Sequence, residues 1–322
     1  MRILNKVIFT INIIGFIVSA TFILNLLFGA RYALDLTAIK SNMTEIPSIS
    51  FIPFYIFMMP THIPLPIPIT LNSLALLFLT IYVVLAGVSL IHKESILYIF
   101  KGRRINNDLL ITMKIMSLIL ILIIVIEGIQ EAAGIPTGEL EAPNEYIRYV
   151  SALVAPLVEE LGFRVSIIGF ILLIIGVSIF RDEKPIIIRI IKILWTPLSI
   201  SEANNTSLYR YFAYFLVLTT SIAFGLAHYL SGGGWDIGKV STATIAGISL
   251  GYLYVKYGIH TAILGHAFFN VYLLSMYYIE LYVGGILNIL IETVFISVLI
   301  LGIAYFIELT LETLIRINII KG

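Results

Sequence analysis

Long apolar runs separated by short polar breaks organise this chain of 322 residues. A helix needs about 20 apolar residues to cross the hydrocarbon of a bilayer. Eight runs read as such helices, at residues 7–29, 71–91, 109–126, 149–180, 208–230, 240–255, 259–282 and 286–308. The sixth is short for a crossing and the fourth is long. No internal repeat is visible. The chain therefore reads as one integral membrane domain over 1–322, with N-terminal membrane helices in 1–148, a core in 149–283 and a C-terminal helix and tail in 284–322. The expected fold is all-α, a polytopic membrane protein of about eight transmembrane helices.

Two further segments break the pattern. Residues 185–198, PIIIRIIKILWTPL, place Arg189 and Lys192 three apart among isoleucines with Trp195 near the end. That is the pattern of a helix lying in the cytoplasmic membrane interface. Residues 47–68 hold six prolines. Proline removes a backbone donor and clashes with the preceding turn, so continuous helix is excluded there, and an outer-face interfacial loop or a re-entrant segment fits.

Composition agrees with the periodicity. The chain is 59% apolar and 12% charged, and its mean hydropathy is +1.03. Soluble domains are nearer half apolar and a quarter charged. The partner implied is the lipid bilayer. Net charge is +1, with no basic patch interleaved with aromatics, so nucleic acid is excluded as a partner. The absence of Cys excludes disulfides, thiolate catalysis and Cys-zinc sites. The apolar run from Val7 to Phe28 is too long for a signal peptide and no small-residue cleavage site follows it, so it reads as the first span.

Charge orients the helices. Arg2 and Lys6 precede the first span; Lys93, Lys101, Arg103 and Arg104 lie between the second and third; Arg181, Lys184, Arg189 and Lys192 follow the fourth; Lys256 follows the sixth; Arg316 and Lys321 close the chain. The alternate loops are poor in Lys and Arg, and residues 127–145 hold Glu127, Glu131, Glu139, Glu141 and Glu145. The positive-inside rule then gives a multi-pass protein of the cell membrane with both termini in the cytoplasm.

An ionisable group at mid-span costs about 2.5–3.5 kcal/mol on insertion scales, so each one asks for a partner or a task. The first three spans carry none at their centres, and the eighth has Glu292 and the terminal Glu308. The fourth span has Glu159, Glu160 and Arg164, the fifth has His228, and the seventh has His266 and Asn270. His62, His92 and His260 read as interfacial. Residues four apart share a helix face, so Glu160 can pair with Arg164, His266 and Asn270 project to one side, and Phe224 sits one turn before His228. Glu159 is then the freer carboxylate.

A carboxylate and a His can hold and deprotonate water, and a His with an Asn can donate to a developing oxyanion. Together they would hydrolyse a peptide bond. Glu159, His228 and His266 are also ordinary zinc ligands, and spacing does not choose between the two. Serine, cysteine and paired-aspartate mechanisms find no support.

At these residues the chain resembles the CPBP family, the CAAX-processing and bacteriocin-processing membrane proteases, in its Rce1-like form. Its motifs E-E-x-x-x-R, F-x-x-x-H and H-x-x-x-N/D stand in order as Glu159-Glu160-Leu-Gly-Phe-Arg164, Phe224-Gly-Leu-Ala-His228 and His266-Ala-Phe-Phe-Asn270. The resemblance covers about 150–275. It implies an eight-helix fold around a membrane-embedded catalytic cavity and an endopeptidase acting on a membrane-associated protein or peptide substrate, prenylated CAAX-type or other. Carried over by motif, Glu159 and His228 activate the water, His266 and Asn270 stabilise the oxyanion, and Glu160, Arg164 and Phe224 support the site. The cofactor implied is none or zinc, with a metal-free glutamate mechanism preferred. Two other readings compete. One is a proton- or ion-coupled transporter, which expects polar groups spread through several spans; the other is a non-catalytic immunity or scaffold protein that keeps the motifs. The charge bias puts the site toward the outer leaflet, whereas a CAAX protease works from the cytoplasm.

Overall fold

The computed structural model describes residues 2–34, 47–101, 105–179, 185–204, 206–276 and 286–317. Arg103, Arg104, Arg181, Lys184 and Lys321, on which the charge bias partly rests, and the end of the 259–282 run lie outside them.

The chain opens with helix α1, Arg2–Leu34, then strands β1, Ser48–Ile56, and β2, Met59–Thr70. Helices α2, Leu71–Ile91, and α3, Asp108–Ala132, follow. Helix α4, Glu145–Glu159, widens into a π-helix over Glu160–Gly169 and continues as α5, Phe170–Ile179. Next come α6, Ile186–Trp195, α7, Leu198–Asn204, α8, Ser207–Leu230, and α9, Gly238–Tyr257. Helix α10, Ile259–Ala267, passes into a second π-helix, Phe268–Tyr272, and α11, Ile286–Arg316, ends the bundle.

Polar residues at the span borders start these helices. Thr70 accepts from Ser73 N at 3.3 Å at the head of α2, Asn107 from Leu110 N at 3.1 Å at α3, and Asn144 from Ile147 N at 2.9 Å at α4. Each satisfies an amide that the first turn leaves without a partner.

Among the described residues seven helices are long and apolar enough to cross a membrane: Lys6–Arg31, Leu71–Ile91, Asp108–Ala132, Glu145–Ser178, Ser207–Leu230, Ile259–Met276 and Asn288–Arg316. The protein is a multi-pass membrane protein. The 240–255 run is not among the seven, yet α9, which contains it, runs beside α3 from end to end. Gln130, near the end of α3, donates to Gly238 O and Ser241 Oγ at 3.2 and 2.8 Å, while Asp108, at its start, meets His260 just past the end of α9. Along α9 only Ile248 is exposed. A helix walled by protein can carry Gly, Ser and Thr that let backbones close up, so its low hydropathy reflects burial in the bundle.

The proline-rich segment is neither loop nor helix. It is an antiparallel hairpin whose two-residue turn, Phe57–Met58, has φ of 49° and 65°, and it pairs Ile56 with Met59, Tyr55 with Pro60, Pro53 with His62 and Phe51 with Pro64. The pair flanking such a turn exchanges both hydrogen bonds and the pairs alternate from there. Pro53, Pro60 and Pro64 thus occupy positions whose N–H would point out of the hairpin, and proline removes that donor. The hairpin lies on the π-helix: Phe57 N donates to Ser166 Oγ at 3.0 Å, and the Phe57 ring meets Phe170 edge-on at 5.5 Å. A Cβ on Gly162 would come within 2.3 Å of Tyr55 Cβ, so glycine permits this approach. Helix α6 stands where an interfacial helix was expected, with Ile187, Ile191 and Trp195 exposed and Ile193 buried.

Candidate functional site

The three motifs come together around Phe224. The guanidinium carbon of Arg164 lies 4.4 Å over its ring, within cation–π reach, and the rings of His228, Phe163 and His266 meet it edge-on at 4.6, 5.1 and 6.0 Å. Sequence spacing placed Phe224 one turn before His228; the structure makes it the common neighbour of Arg164, His228 and His266.

Glu160 and Arg164 are buried, at 0% and 1% exposure, and face each other at 3.2 Å. Arg164 Nη2 also donates to Gly247 O at 3.3 Å. The second oxygen of Glu160 is engaged from another helix: His266 Nδ1 stands 2.9 Å from Glu160 Oε1. A carboxylate accepts, so the proton of His266 sits on Nδ1 and Nε2 is left to face the site. Across from it, Glu159 Oε2 lies 3.8 Å from His266 Nε2. That gap exceeds a direct hydrogen bond and is of the kind a water bridges. Glu159 Oε2 is buried and has no hydrogen-bond partner, although the side chain as a whole is 21% exposed.

His228 is fixed differently. Its Nδ1 lies 2.9 Å from Phe224 O, and a carbonyl only accepts, so His228 carries its proton on Nδ1 and presents Nε2. No ion pair or hydrogen bond joins it to Glu159; it senses the carboxylate only through space. His266, rather than His228, is the histidine nearest Glu159. Asn270 lies on the second π-helix, half-buried, one turn beyond His266.

Four neighbours went unmarked in the sequence. Tyr55, Tyr82 and Lys239 lie within electrostatic reach of Glu159. Trp235 tilts against His228 at 6.3 Å and carries Lys239 Nζ 4.0 Å over its ring. Burial, and then the charge of Glu159, raise the pKa of the Tyr55 hydroxyl. Trp235 precedes α9 and Tyr55 is on the hairpin, so no helical spacing ties either of them to the motifs.

A zinc ion at this site would need Glu159, His228 and His266 as ligands. Their donor atoms do not lie within 4.8 Å of one another; among the described residues the one group of three that does so is His92, Asp108 and His260. The motif residues as placed do not fit a shared ion.

A cavity of about 590 Å³ opens elsewhere, among α1, α3, α9 and α11, where Lys114 and Glu308 pair at 2.8 Å. Neither the motif residues nor the hairpin line it. Lys114 was passed over in the sequence because it falls near the start of its span.

Comparison with known families places this geometry. Residues 146–272 match the family model of the Rce1-like type II CAAX prenyl endopeptidases, a stretch that contains all three motifs. Over that stretch the chain is similar to this family. No curated protein and no solved structure matches the chain.

Proposed function

We propose that the protein is an intramembrane endopeptidase that cleaves a membrane-associated protein or peptide by glutamate-activated water. The observation that carries this reading is the division of labour between adjacent carboxylates. Glu160 is held by Arg164 at 3.2 Å and by His266 at 2.9 Å, whereas Glu159 Oε2 has no hydrogen-bond partner and faces His266 Nε2 at 3.8 Å. A buried carboxylate oxygen that makes no hydrogen bond is costly, and a task for it is the economical explanation.

In this mechanism Glu159 takes a proton from a water bonded between it and His266 Nε2, and the resulting hydroxide attacks the scissile carbonyl. With Nδ1 engaged, His266 and His228 both turn Nε2 to the site. The proton that Glu159 has taken can pass to one of these imidazoles, which then donates it to the leaving amine as the tetrahedral intermediate collapses and the C–N bond breaks. Asn270 adds an amide donor on the His266 side. Arg164 and Phe224 hold Glu160 and the two imidazoles in register. Since the motif residues do not fit a shared ion, no step is assigned to a metal.

The Lys and Arg bias supports both termini in the cytoplasm, and α9 as an eighth crossing keeps the count even. Under that orientation His228, Trp235 and Lys239 flank the site on its outer side. The substrate class is then a membrane-tethered segment, prenylated or not. The transporter reading expects a relay of ionisable groups across several spans. Beyond the motifs, the described spans bury Lys114 with Glu308 at 2.8 Å and Asp108 with His260 at 3.0 Å, each closed on its own partner and neither connected to Glu159, and this leaves the protease reading ahead.

The test is reconstitution in liposomes with a prenylated and an unprenylated peptide, each with and without chelator. Cleavage that survives chelation and disappears in Glu159→Gln is expected. Full activity in Glu159→Gln would sink the mechanism, and loss of activity on chelation in both the wild type and His92→Ala would replace it with a metal-dependent one.

A further inference from the structure

Away from the motifs, three chain segments aim ionisable side chains at one point. Asp108, the first residue of α3, is fully buried, and His260, on the first turn of α10, approaches its Oδ2 with Nε2 at 3.0 Å. His92, the C-cap of α2, brings Nδ1 to the same oxygen. The donor atoms of His92, Asp108 and His260 lie within 4.8 Å of one another. We infer that these three side chains form a binding site for one divalent transition-metal ion of the zinc class, separate from the Glu159 site.

Two imidazoles and one carboxylate are zinc-type donors, and three protein ligands leave a fourth position for water. His92 is 42% exposed at its side chain, so an ion has a route in. The surroundings resemble those of ligands already held in place. Lys93 Nζ bonds the other oxygen of Asp108 at 2.8 Å, leaving Oδ2 to the imidazoles, and is itself drawn over the Tyr257 ring at 4.6 Å. Metal-bound carboxylates are normally hydrogen-bonded in this way. Trp195 stacks on His260 at 5.3 Å with 18° between the ring planes, which fixes the plane of the imidazole. Gly258, at φ 118°, completes the seat, because a Cβ there would come within 2.9 Å of the His260 ring and 2.8 Å of Thr196 Oγ1. Asp108 Oδ2 already touches both imidazoles, so a bound ion requires the three donors only to spread apart.

The site would clasp α2, α3 and α10 together. His260 lies six residues before His266 on the same helical run, about 9 Å along its axis at 1.5 Å per residue. A bound ion would therefore anchor the helix that presents His266.

Equilibrium dialysis of tag-free, full-length protein in detergent against Zn2+ alone tests this, with bound metal read by elemental analysis. One zinc per chain is expected, with a rise in Tm when zinc is added. His92→Ala, a truncation at a partly exposed position, should weaken zinc binding at least tenfold while its metal-free Tm stays near that of the wild type. Asp108→Glu, which keeps the carboxylate but moves it, should weaken binding as well. Glu159→Gln should bind as the wild type does, so the result stands whatever becomes of the protease reading. The inference is overturned if the wild type takes up no stoichiometric zinc, if His92→Ala binds it equally well, or if Glu159→Gln abolishes binding.

Discussion

His266 Nδ1 lies 2.9 Å from Glu160 Oε1, joining residues 106 positions apart. With the proton of Nδ1 given to Glu160, His266 can meet water or substrate only through Nε2, the atom that stands 3.8 Å from Glu159. The adjacent glutamates are thereby unequal. Glu159→Gln should abolish peptide cleavage with no change in Tm, because its carboxylate makes no hydrogen bond that folding uses. Glu160→Gln should lose both activity and stability, by about 3–5 kcal/mol, the usual cost of removing one member of a buried ion pair. Thermal unfolding in detergent beside the cleavage assay separates the two. Equal destabilisation by both substitutions would refute the division.

The Glu160–Arg164 pair can be tested as a unit. Glu160→Gln leaves the Arg164 charge buried without its counter-ion, and Arg164→Met leaves Glu160 with His266 alone. Replacing both with neutral groups removes the uncompensated charge, so the double variant should be more stable than either single one. Activity should not return with stability, because neutral Gln holds His266 Nδ1 less firmly than a carboxylate does. A double variant as active as the wild type would reduce the pair to a structural pin.

Phe224 touches Arg164, His228 and His266 through one ring. Phe224→Leu keeps much of the apolar volume and removes the aromatic face and edges. Swaps that conserve volume usually cost under about 1.5 kcal/mol. If the ring serves to orient the two imidazoles, the expected result is a folded protein whose kcat falls tenfold or more with KM nearly unchanged. A rise in KM alone would assign Phe224 to substrate binding.

Much of this site was legible in the sequence because helical spacing is local information. Glu160 and Arg164 are four apart and pair as spacing requires, and the three motifs fall on three apolar runs. What escaped is non-local. No periodicity could show that Glu160 meets His266, or that His92 and His260, which read as interfacial, converge on Asp108. The hairpin escaped because six prolines exclude helix without specifying pairing. Its register depends on the Phe57–Met58 turn, and φ above zero at two bulky residues is a conformation no propensity suggests. Helix α9 looked short in the sequence because burial among other helices, and not lipid, selected its Gly, Ser and Thr.

The approach of the hairpin to the π-helix rests on Gly162, where a Cβ would come within 2.3 Å of Tyr55 Cβ. The obstacle is the root of the Tyr55 side chain, which rotation cannot move, so Gly162→Ala must displace the strand. The expected outcome is a hairpin more readily cut by added protease between Ser48 and Thr70, with reduced activity, because Tyr55 lies within electrostatic reach of Glu159. Tyr55→Phe, which keeps the Cβ contact, should leave proteolysis of the hairpin unchanged. Equal protease resistance in Gly162→Ala and wild type would show that the hairpin is not seated there.

Lys114 and Glu308 pair at 2.8 Å beside the 590 Å³ cavity, on helices that carry no motif residue. If the pair is structural, Lys114→Met and Glu308→Leu should each destabilise by about 3–5 kcal/mol, the double replacement should recover most of that loss, and peptide cleavage should persist in the double variant. If the protein instead couples ion movement to this pair, the double variant would be stable but inert. Unfolding and cleavage measured on the three variants decide it, and the structural outcome is expected because both side chains are almost fully buried against each other.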